Sequence, residues 1–122
     1  MPQDPMCEGH GIIELNPNGD IVGQKLICNG DCDEKTRCSS QQSIKGDVAE
    51  REWCGCPGGN EPKDCHVVKT SVDDQTVFIC AGVCPVPRDK CTPHMRVGGQ
   101  HPNGQPKTLV FSCNCINPKD QK

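Results

Sequence analysis

The chain is poor in the side chains that build a hydrophobic core. Its 122 residues include two Phe, one Trp and no Tyr, and apolar residues make up only 33%. Aromatic side chains bury the most surface per residue, and short chains bury proportionally less surface than long ones. Hydrophobic burial alone therefore does not account for a stable fold.

Long apolar runs and helical periodicity are also missing. No run approaches the roughly 20 apolar residues that cross a membrane, and eleven Pro with thirteen Gly argue against long helices. The segment Met1–Met6 lacks the basic start and apolar stretch of a secretory signal. We expect the mature part of an exported protein, with an added initiator Met and no membrane span.

Basic residues are few and scattered. The chain has thirteen Lys and Arg and sixteen Asp and Glu, which gives a net charge of −3. It has no basic stripe with interleaved aromatics, so we expect no nucleic-acid partner. Residues 1–60 hold ten acids and five bases, a net charge of −5, whereas residues 61–122 hold six acids and eight bases, a net charge of +2. Halves that differ so much in charge are not expected to bind one ligand through the same surface.

The chain is rich in cysteine, and its twelve cysteines form one six-cysteine frame written twice. Each frame has Cys-x-Gly-x-Cys, a further Cys after five or six intervening residues, and a terminal Cys-x-Cys. The first frame consists of Cys7, Cys28, Cys32, Cys38, Cys54 and Cys56. The second consists of Cys65, Cys80, Cys84, Cys91, Cys113 and Cys115. The repetition predicts two modules, residues 1–60 and 61–122.

About one residue in ten is cysteine, which in a small chain is the composition of a disulfide scaffold. We predict that all twelve are structural and form six bridges, mainly within each copy, each worth roughly 2–4 kcal/mol. Six cysteines per copy leave fifteen pairings open. Disulfides persist in oxidising surroundings, so the predicted location is extracellular or periplasmic.

Each copy is predicted to contain three antiparallel strands. In the first copy, Asn18-Gly19 between apolar stretches indicates a β-hairpin. In the second copy, a loop at Val72-Asp73 would place Cys65 opposite Cys80 and favour a bridge between them.

The third strand of each copy, residues 48–56 and 108–115, ends in Cys-x-Cys. Residues 39–44 and the glycine-rich stretch 98–104 are predicted as surface loops, and residues 57–64 as a linker. The fold class is therefore small, disulfide-rich and all-β, with two tandem copies of a three-stranded antiparallel, six-cysteine module.

Metal binding and catalysis have weak support in the sequence. Cys-x-Cys, Cys-x3-Cys and four His offer zinc ligands, yet the Cys-x2-Cys knuckles of structural zinc sites are absent. Asp31, Asp33 and Glu34 are adjacent, without the ligand spacing of a calcium loop. No phosphate loop or nucleophile elbow occurs. We expect no enzyme, no metal and no cofactor, and a thiolate metal-binding protein is the weakest hypothesis.

Two short loops between cysteines display basic side chains. Arg88 and Lys90 lie between Cys84 and Cys91, and Lys35 and Arg37 occupy the same place in the first copy. A stiff loop loses little entropy on binding, and the carboxylate of a trypsin-like pocket requires a base. The runner-up hypothesis is thus a double-headed serine protease inhibitor that inserts Arg88 or Lys35. Short polar loops of secreted proteins also contain such residues without this role.

Trp53 has no aromatic counterpart, because the matching position in the second copy is Ser112. The indole either packs on the neighbouring disulfide, seats the copies against each other, or marks a binding face that only the first copy has. The preferred interpretation is a secreted, non-catalytic binding or structural module whose partner is a protein or another extracellular ligand. Its candidate binding residues are Arg88, Lys90, Lys35, Arg37 and Trp53.

Overall fold

A computed structural model describes residues 7–45, 48–58, 60–117 and 119. The prediction about Met1–Met6 lies outside these residues. The described chain forms eight β-strands: β1 Glu8–Leu15, β2 Ile21–Asn29, β3 Ser39–Lys45, β4 Val48–Gly55, β5 His66–Val72, β6 Gln75–Ala81, β7 Lys90–Val97 and β8 Thr108–Ile116. The prediction of a small, disulfide-rich, all-β protein is confirmed.

The prediction of three strands per copy is not confirmed, because each half contains four. The polar stretch predicted as a loop is strand β3, which pairs along β4, and β7 pairs in the same way along β8. Backbone hydrogen bonds to a neighbouring strand outweigh the weak β-propensity of serine and glutamine. Pro93 is tolerated in β7 because this strand lies at a sheet edge, where no ladder partner needs its missing N–H.

The eight strands form two four-stranded sheets that are shared between the halves. One sheet has the order β2-β1-β8-β7, and the other has the order β3-β4-β5-β6. Each half therefore contributes one hairpin to each sheet. Antiparallel pairing of β1 with β8 and of β4 with β5 joins the halves.

The two sheets pack face to face. Successive residues of a strand point to opposite faces, and the Cys28–Cys54 and Cys80–Cys113 bridges connect strands of different sheets. The residues that point into this interface therefore include Gly11 of β1, where an added Cβ would lie 2.7 Å from the ring of Phe78. Phe78 in turn stacks on Phe111, with ring centroids 5.9 Å apart.

All twelve cysteines are bridged, and every bridge lies within one half. The bridges are Cys7–Cys38, Cys28–Cys54, Cys32–Cys56, Cys65–Cys91, Cys80–Cys113 and Cys84–Cys115. In both halves the first cysteine pairs with the fourth, the second with the fifth and the third with the sixth. The predicted restriction of bridges to each half is confirmed.

The Cys65–Cys80 bridge predicted from the second hairpin is wrong. The hairpin turns at Asp73 and Asp74, which have φ angles of 51° and 65°, and this places Cys80 opposite Val67. A two-residue hairpin turn of this type needs positive φ at both positions. Asp tolerates that conformation, whereas a β-branched residue such as Val72 does not.

In both halves, the backbone conformation of the Cys-x-Gly-x-Cys motif requires a glycine at its central position. Gly30 and Gly82 have φ angles of 115° and 95°, a region that side chains disfavour. A Cβ on Gly82 would also lie 2.1 Å from the carbonyl oxygen of Asp64. The motif is therefore a tight turn that aims its two cysteines toward separate bridges.

Candidate functional site

Trp53 is a core residue on the outer face of the second sheet. It is opposite Val68 in the β4–β5 ladder, and the two are 6% and 0% exposed. The indole Nε1 has no hydrogen-bond partner among the described residues. Trp53 is thus buried next to the bridged Cys54 and opposite a residue of the other half, whereas a binding role for it stays a prediction.

The segment between the halves covers this face. Arg51 donates two hydrogen bonds to Glu61, at 2.8 and 2.7 Å, and Nε2 of His66 lies 3.0 Å from the same carboxylate. Arg51 and His66 point outward on the same face as Trp53 and Val68. By binding both, Glu61 holds the segment 57–64 against this face. The hydrogen bonds from Arg51, aided by His66, hold the pKa of Glu61 below its ordinary value.

The corresponding position of the first sheet is built differently. Counted from the cysteines, His10 stands where the second sheet has Val68, and Ser112 stands where it has Trp53. The β4–β5 ladder includes the Trp53–Val68 pair, whereas the β1–β8 ladder ends one step earlier, at Gly11 and Phe111. The two polar residues therefore lie where strands β1 and β8 stop pairing.

A cavity of about 180 Å³ lies at this point. It is lined by residues 7–10, 65–67 and 112–114, which belong to β1, β5 and β8 and the cysteines that flank them. Both halves contribute to it. His10 and Ser112, which correspond in the repeat to the buried Val68 and Trp53, are thus polar, and they border a cavity that β5 of the other sheet also lines.

The polar groups of the cavity differ in their availability. His66 is 10% exposed, and its Nδ1 contacts the carbonyl oxygen of Asp64 while Nε2 contacts Glu61. Its hydrogen-bonding capacity is used within the protein. Glu8, His10, Ser112 and Asn114 make no side-chain hydrogen bond or ion pair that the structure records among its described residues. These four side chains offer a carboxylate, an imidazole, a hydroxyl and an amide.

The basic residues of the second loop do not line this cavity. Val86 accepts a hydrogen bond from the N–H of Asp89, at 3.0 Å, so Arg88 is the third residue of a four-residue turn. Arg88 and Lys90 are exposed. An inhibitory loop that mimics substrate presents an extended main chain to the enzyme, and the turn at Arg88 gives no support to that mode of binding.

The equivalent loop in the first half is organised by Asp33. Its carboxylate accepts hydrogen bonds from the N–H groups of Lys35 and Thr36, at 2.8 and 2.7 Å, and these lower its pKa. Lys35 is exposed, and Arg37 makes a solvent-exposed ion pair with Asp31 at 3.8 Å. Arg37 also borders a more open hollow of about 250 Å³. Neither base reaches the cavity beside Ser112.

The cysteines offer no thiolate for a metal. The sulfurs of Cys7, Cys32, Cys38 and Cys56 lie within 4.8 Å of one another, but they are two adjacent disulfides. A metal-binding cysteine acts as the free thiolate. The arrangement therefore gives no support to the hypothesis of a thiolate metal-binding protein.

The sequence analysis named Trp53 as a candidate but did not predict the cavity near the corresponding position of the other copy. Glu8, His10 and Asn114 were not singled out, because no motif connects them along the chain. One feature of the sequence did point to this region: the first copy has Trp53 where the second copy has Ser112. The cavity beside Ser112 forms only where β1 and β8 are neighbours. That pairing joins residues about a hundred positions apart, which the sequence does not reveal.

No family model, no curated protein and no solved structure matches this chain. Within the described ranges, no helix is long and apolar enough to cross a membrane. The six disulfides indicate an oxidising, extracellular environment.

Proposed function

We propose that this protein is a secreted, non-catalytic binding module, made of two copies of one six-cysteine unit. In this proposal the cavity beside Ser112 receives a cationic side chain of an extracellular protein partner. The observation that carries the proposal is the contrast between two equivalent positions. One is filled by Trp53 and Val68, and the other is lined by Ser112 and His10.

The contrast supports a function because the polar version costs stability. An apolar pair at this position buries a large side chain, and replacing it with small or polar residues loses that burial and leaves a void. Stability alone favours the tryptophan version in both copies. Sites where a sequence departs from what stability favours are the expected locations of binding or chemistry.

The charge of the cavity favours a cation. Glu8 is the only carboxylate among the lining residues, and they include no Lys or Arg. Ser112 and Asn114 add oxygen acceptors for a primary ammonium to the same lining as Glu8. Stacking on an aromatic ring, the usual mode for sugars and bases, is not offered, since Trp53 and Phe111 are buried and no Phe, Tyr or Trp lines the cavity.

The proposal is of binding and not of catalysis, although Ser112, His10 and Glu8 are the residue types of a hydrolytic triad. An activated serine is hydrogen-bonded to its histidine, and no such bond joins Ser112 to His10 in the structure. A fluorophosphonate probe should therefore leave the protein unlabelled. Covalent labelling of Ser112 would contradict the non-catalytic part of the proposal.

The binding test is an NMR titration with N-acetyl-lysine methylamide and, in parallel, its uncharged norleucine analogue. We expect saturable shifts of the amide signals of residues 8–10 and 112–114 with the charged probe only. Glu8→Gln should weaken binding about tenfold, which equals about 1.4 kcal/mol. Glu14→Gln, which removes a carboxylate already paired with Lys25, should leave binding unchanged.

A second pair of variants tests the cavity itself. Ser112→Trp places in the first sheet the residue that fills the equivalent position of the second, and it should abolish the shifts. Ser71→Trp adds the same side chain at an exposed position of β5, outside the cavity lining, and should preserve them. Equal responses to both probes, or shifts unaffected by Ser112→Trp, would contradict the proposed site.

A further inference from the structure

The two disulfides beside the Cys-x-Gly-x-Cys turn of the first half lie in contact. The sulfur of Cys32, bridged to Cys56, is 4.0 Å from the sulfur of Cys38, bridged to Cys7. All four sulfurs lie within 4.8 Å of one another. Disulfides exchange when a thiolate attacks a neighbouring disulfide sulfur in line with the bond that breaks, so a thiolate freed within this cluster needs only a side-chain rotation to reach its target.

We infer that this sulfur cluster is a thiol-exchange site, at which attack by a small external thiol is passed from one disulfide to the next. The cluster consists of Cys7, Cys32, Cys38 and Cys56. The substrate class is a low-molecular-weight monothiol such as glutathione or free cysteine. The inference rests on the disulfides and not on the ligand proposed for the cavity beside Ser112, although Cys7 also lines that cavity.

The exchange balances without any added oxidant or reductant. The external thiolate attacks the sulfur of Cys56, forms a mixed disulfide there and breaks the Cys32–Cys56 bond, with the electron pair leaving on Cys32. Once freed, the Cys32 side chain rotates so that its thiolate lies in line with the Cys7–Cys38 bond; it then attacks Cys38, forms a Cys32–Cys38 bond and releases Cys7. The proton of the external thiol ends on Cys7, and the total number of S–S bonds is unchanged.

The local backbone makes the new bond reversible. Asp31 pairs with Arg37 across the loop, and the N–H of Cys38 donates to the carbonyl oxygen of Gly30. This register makes Cys32 and Cys38 diagonal neighbours, whose Cα atoms are typically about 7–8 Å apart. That is slightly beyond the usual span of a disulfide, so the loop must contract to accept the new bond. The released Cys7 thiolate can therefore attack it and restore the original pairing.

The second half contains a related cluster with a different nearest target. The sulfurs of Cys65, Cys84 and Cys115 lie within 4.8 Å of one another, and this group does not include Cys91. A thiolate on Cys84 is therefore placed to attack Cys65 and release Cys91. The exchange should therefore leave the free thiol on a different cysteine in each half. In the first half this is the first cysteine, Cys7, and in the second half it is the fourth, Cys91.

The test uses single-cysteine removals in the otherwise complete chain. Cys56→Ser leaves a thiol on Cys32, and the protein is held at pH 8 for increasing times before iodoacetamide treatment and peptide mapping. We expect the label on Cys7 to rise from zero to a plateau while the label on Cys32 falls. Label that stays on Cys32 at every time would overturn the inference.

Cys54→Ser is the matched control, because it leaves Cys28, which belongs to neither cluster. The label should stay on Cys28, and migration from Cys28 as well would show that general scrambling, not the cluster, is responsible. Cys115→Ser should transfer label from Cys84 to Cys91. Should a variant fail to fold, the wild-type protein with excess glutathione decides the question. A glutathione adduct on Cys56 with a free Cys7 supports the exchange, and an adduct on Cys56 with a free Cys32 alone overturns it.

Discussion

Phe78 of β6 lies directly against Gly11 of β1, so the two sheets touch at a point where one of them has no side chain. A Cβ on residue 11 would lie 2.7 Å from two ring carbons and 2.9 Å from a third. The same ring stacks on Phe111, which pairs with Gly11 across β1 and β8. Both phenylalanines thus serve the inter-sheet core, Phe78 by close approach to Gly11 and Phe111 by stacking on Phe78.

Gly11→Ala should therefore destabilise the protein by about 1–3 kcal/mol, because the added methyl group overpacks the interface. Gly23→Ala is the control, since its Cβ would meet only the flexible end of the Glu14 side chain, at 3.3 Å. We expect its effect to stay within about 0.5 kcal/mol. Urea unfolding with the disulfides intact measures both, and equal effects would contradict the packing at Phe78.

Substitutions of Trp53 can distinguish the stability that comes from the volume of the indole from the stability that comes from its N–H group. Trp53→Ala should cost about 3–5 kcal/mol, because it empties a buried position. Trp53→Phe should cost much less, about 1–2 kcal/mol, since the indole N–H has no partner to lose among the described residues. Thermal unfolding distinguishes the two, and a phenylalanine variant as unstable as the alanine variant would show that the N–H is bonded after all.

The ion pairs of Glu61 predict a pH dependence. Its pKa is lowered in the folded state, chiefly by Arg51, so the unfolded chain binds the proton more readily. The resulting stability is present above the ordinary carboxyl pKa and is lost as the pH falls through the folded pKa. Glu61→Gln should cost about 1–3 kcal/mol at pH 7, and its difference from wild type should shrink below about pH 4.

Glu14→Gln is the comparison for this measurement. Glu14 pairs with Lys25 at 2.9 Å, but both side chains are more than a third exposed. Its removal should cost less than about 1 kcal/mol at either pH. Melting temperatures at pH 7 and pH 3 decide the matter, and a Glu61→Gln difference that persists unchanged at pH 3 would refute the role of the carboxylate charge.

Each half, expressed as a separate chain, should form its native bridges, as the repeated frame predicts. We do not expect it to be a monomer. Residues 1–60 alone expose the edges of β1 and β4 that β8 and β5 cover in the whole chain. An uncovered edge pairs with another chain. We expect a symmetric dimer in which β1 of each copy pairs with β4 of the other.

The same reasoning applies to residues 61–122, through β5 and β8. Light scattering after oxidative refolding measures the mass, and peptide mapping checks that the first cysteine is bridged to the fourth, the second to the fifth and the third to the sixth. A folded monomer would show that the shared sheets are dispensable. Scrambled bridges would show that each half needs the other to direct its pairing.

Local features of the fold could be predicted from the sequence, and long-range ones could not. Asn18-Gly19 correctly predicted the first hairpin, in which Cys28 lies opposite Gly9, two residues from Cys7. The second hairpin was placed one residue early because Asp73-Asp74 is a weaker turn signal than Asn-Gly. The polar strand β3 has no apolar alternation to mark it, since its stability comes from β4 beside it.

The exchange of hairpins between the sheets leaves no trace in either copy taken alone. Strand β4 of one half pairs with β5 of the other, and Arg51 of β4 binds Glu61 of the segment between the halves. The cavity follows from that exchange, because Ser112 and His10 come from different halves. The site could therefore be identified only from the structure, even though the Trp53 to Ser112 difference was visible in the sequence.

The confinement of every disulfide to one half also determines how the molecule responds to a cut chain. A protease that cleaves once between Cys56 and Cys65 separates two fragments that share no covalent bond. In native buffer the β1–β8 and β4–β5 ladders would hold the fragments together as one particle. In denaturant without any reductant they would separate. Despite its six cross-links, the protein has one stretch of backbone on which its covalent continuity wholly depends.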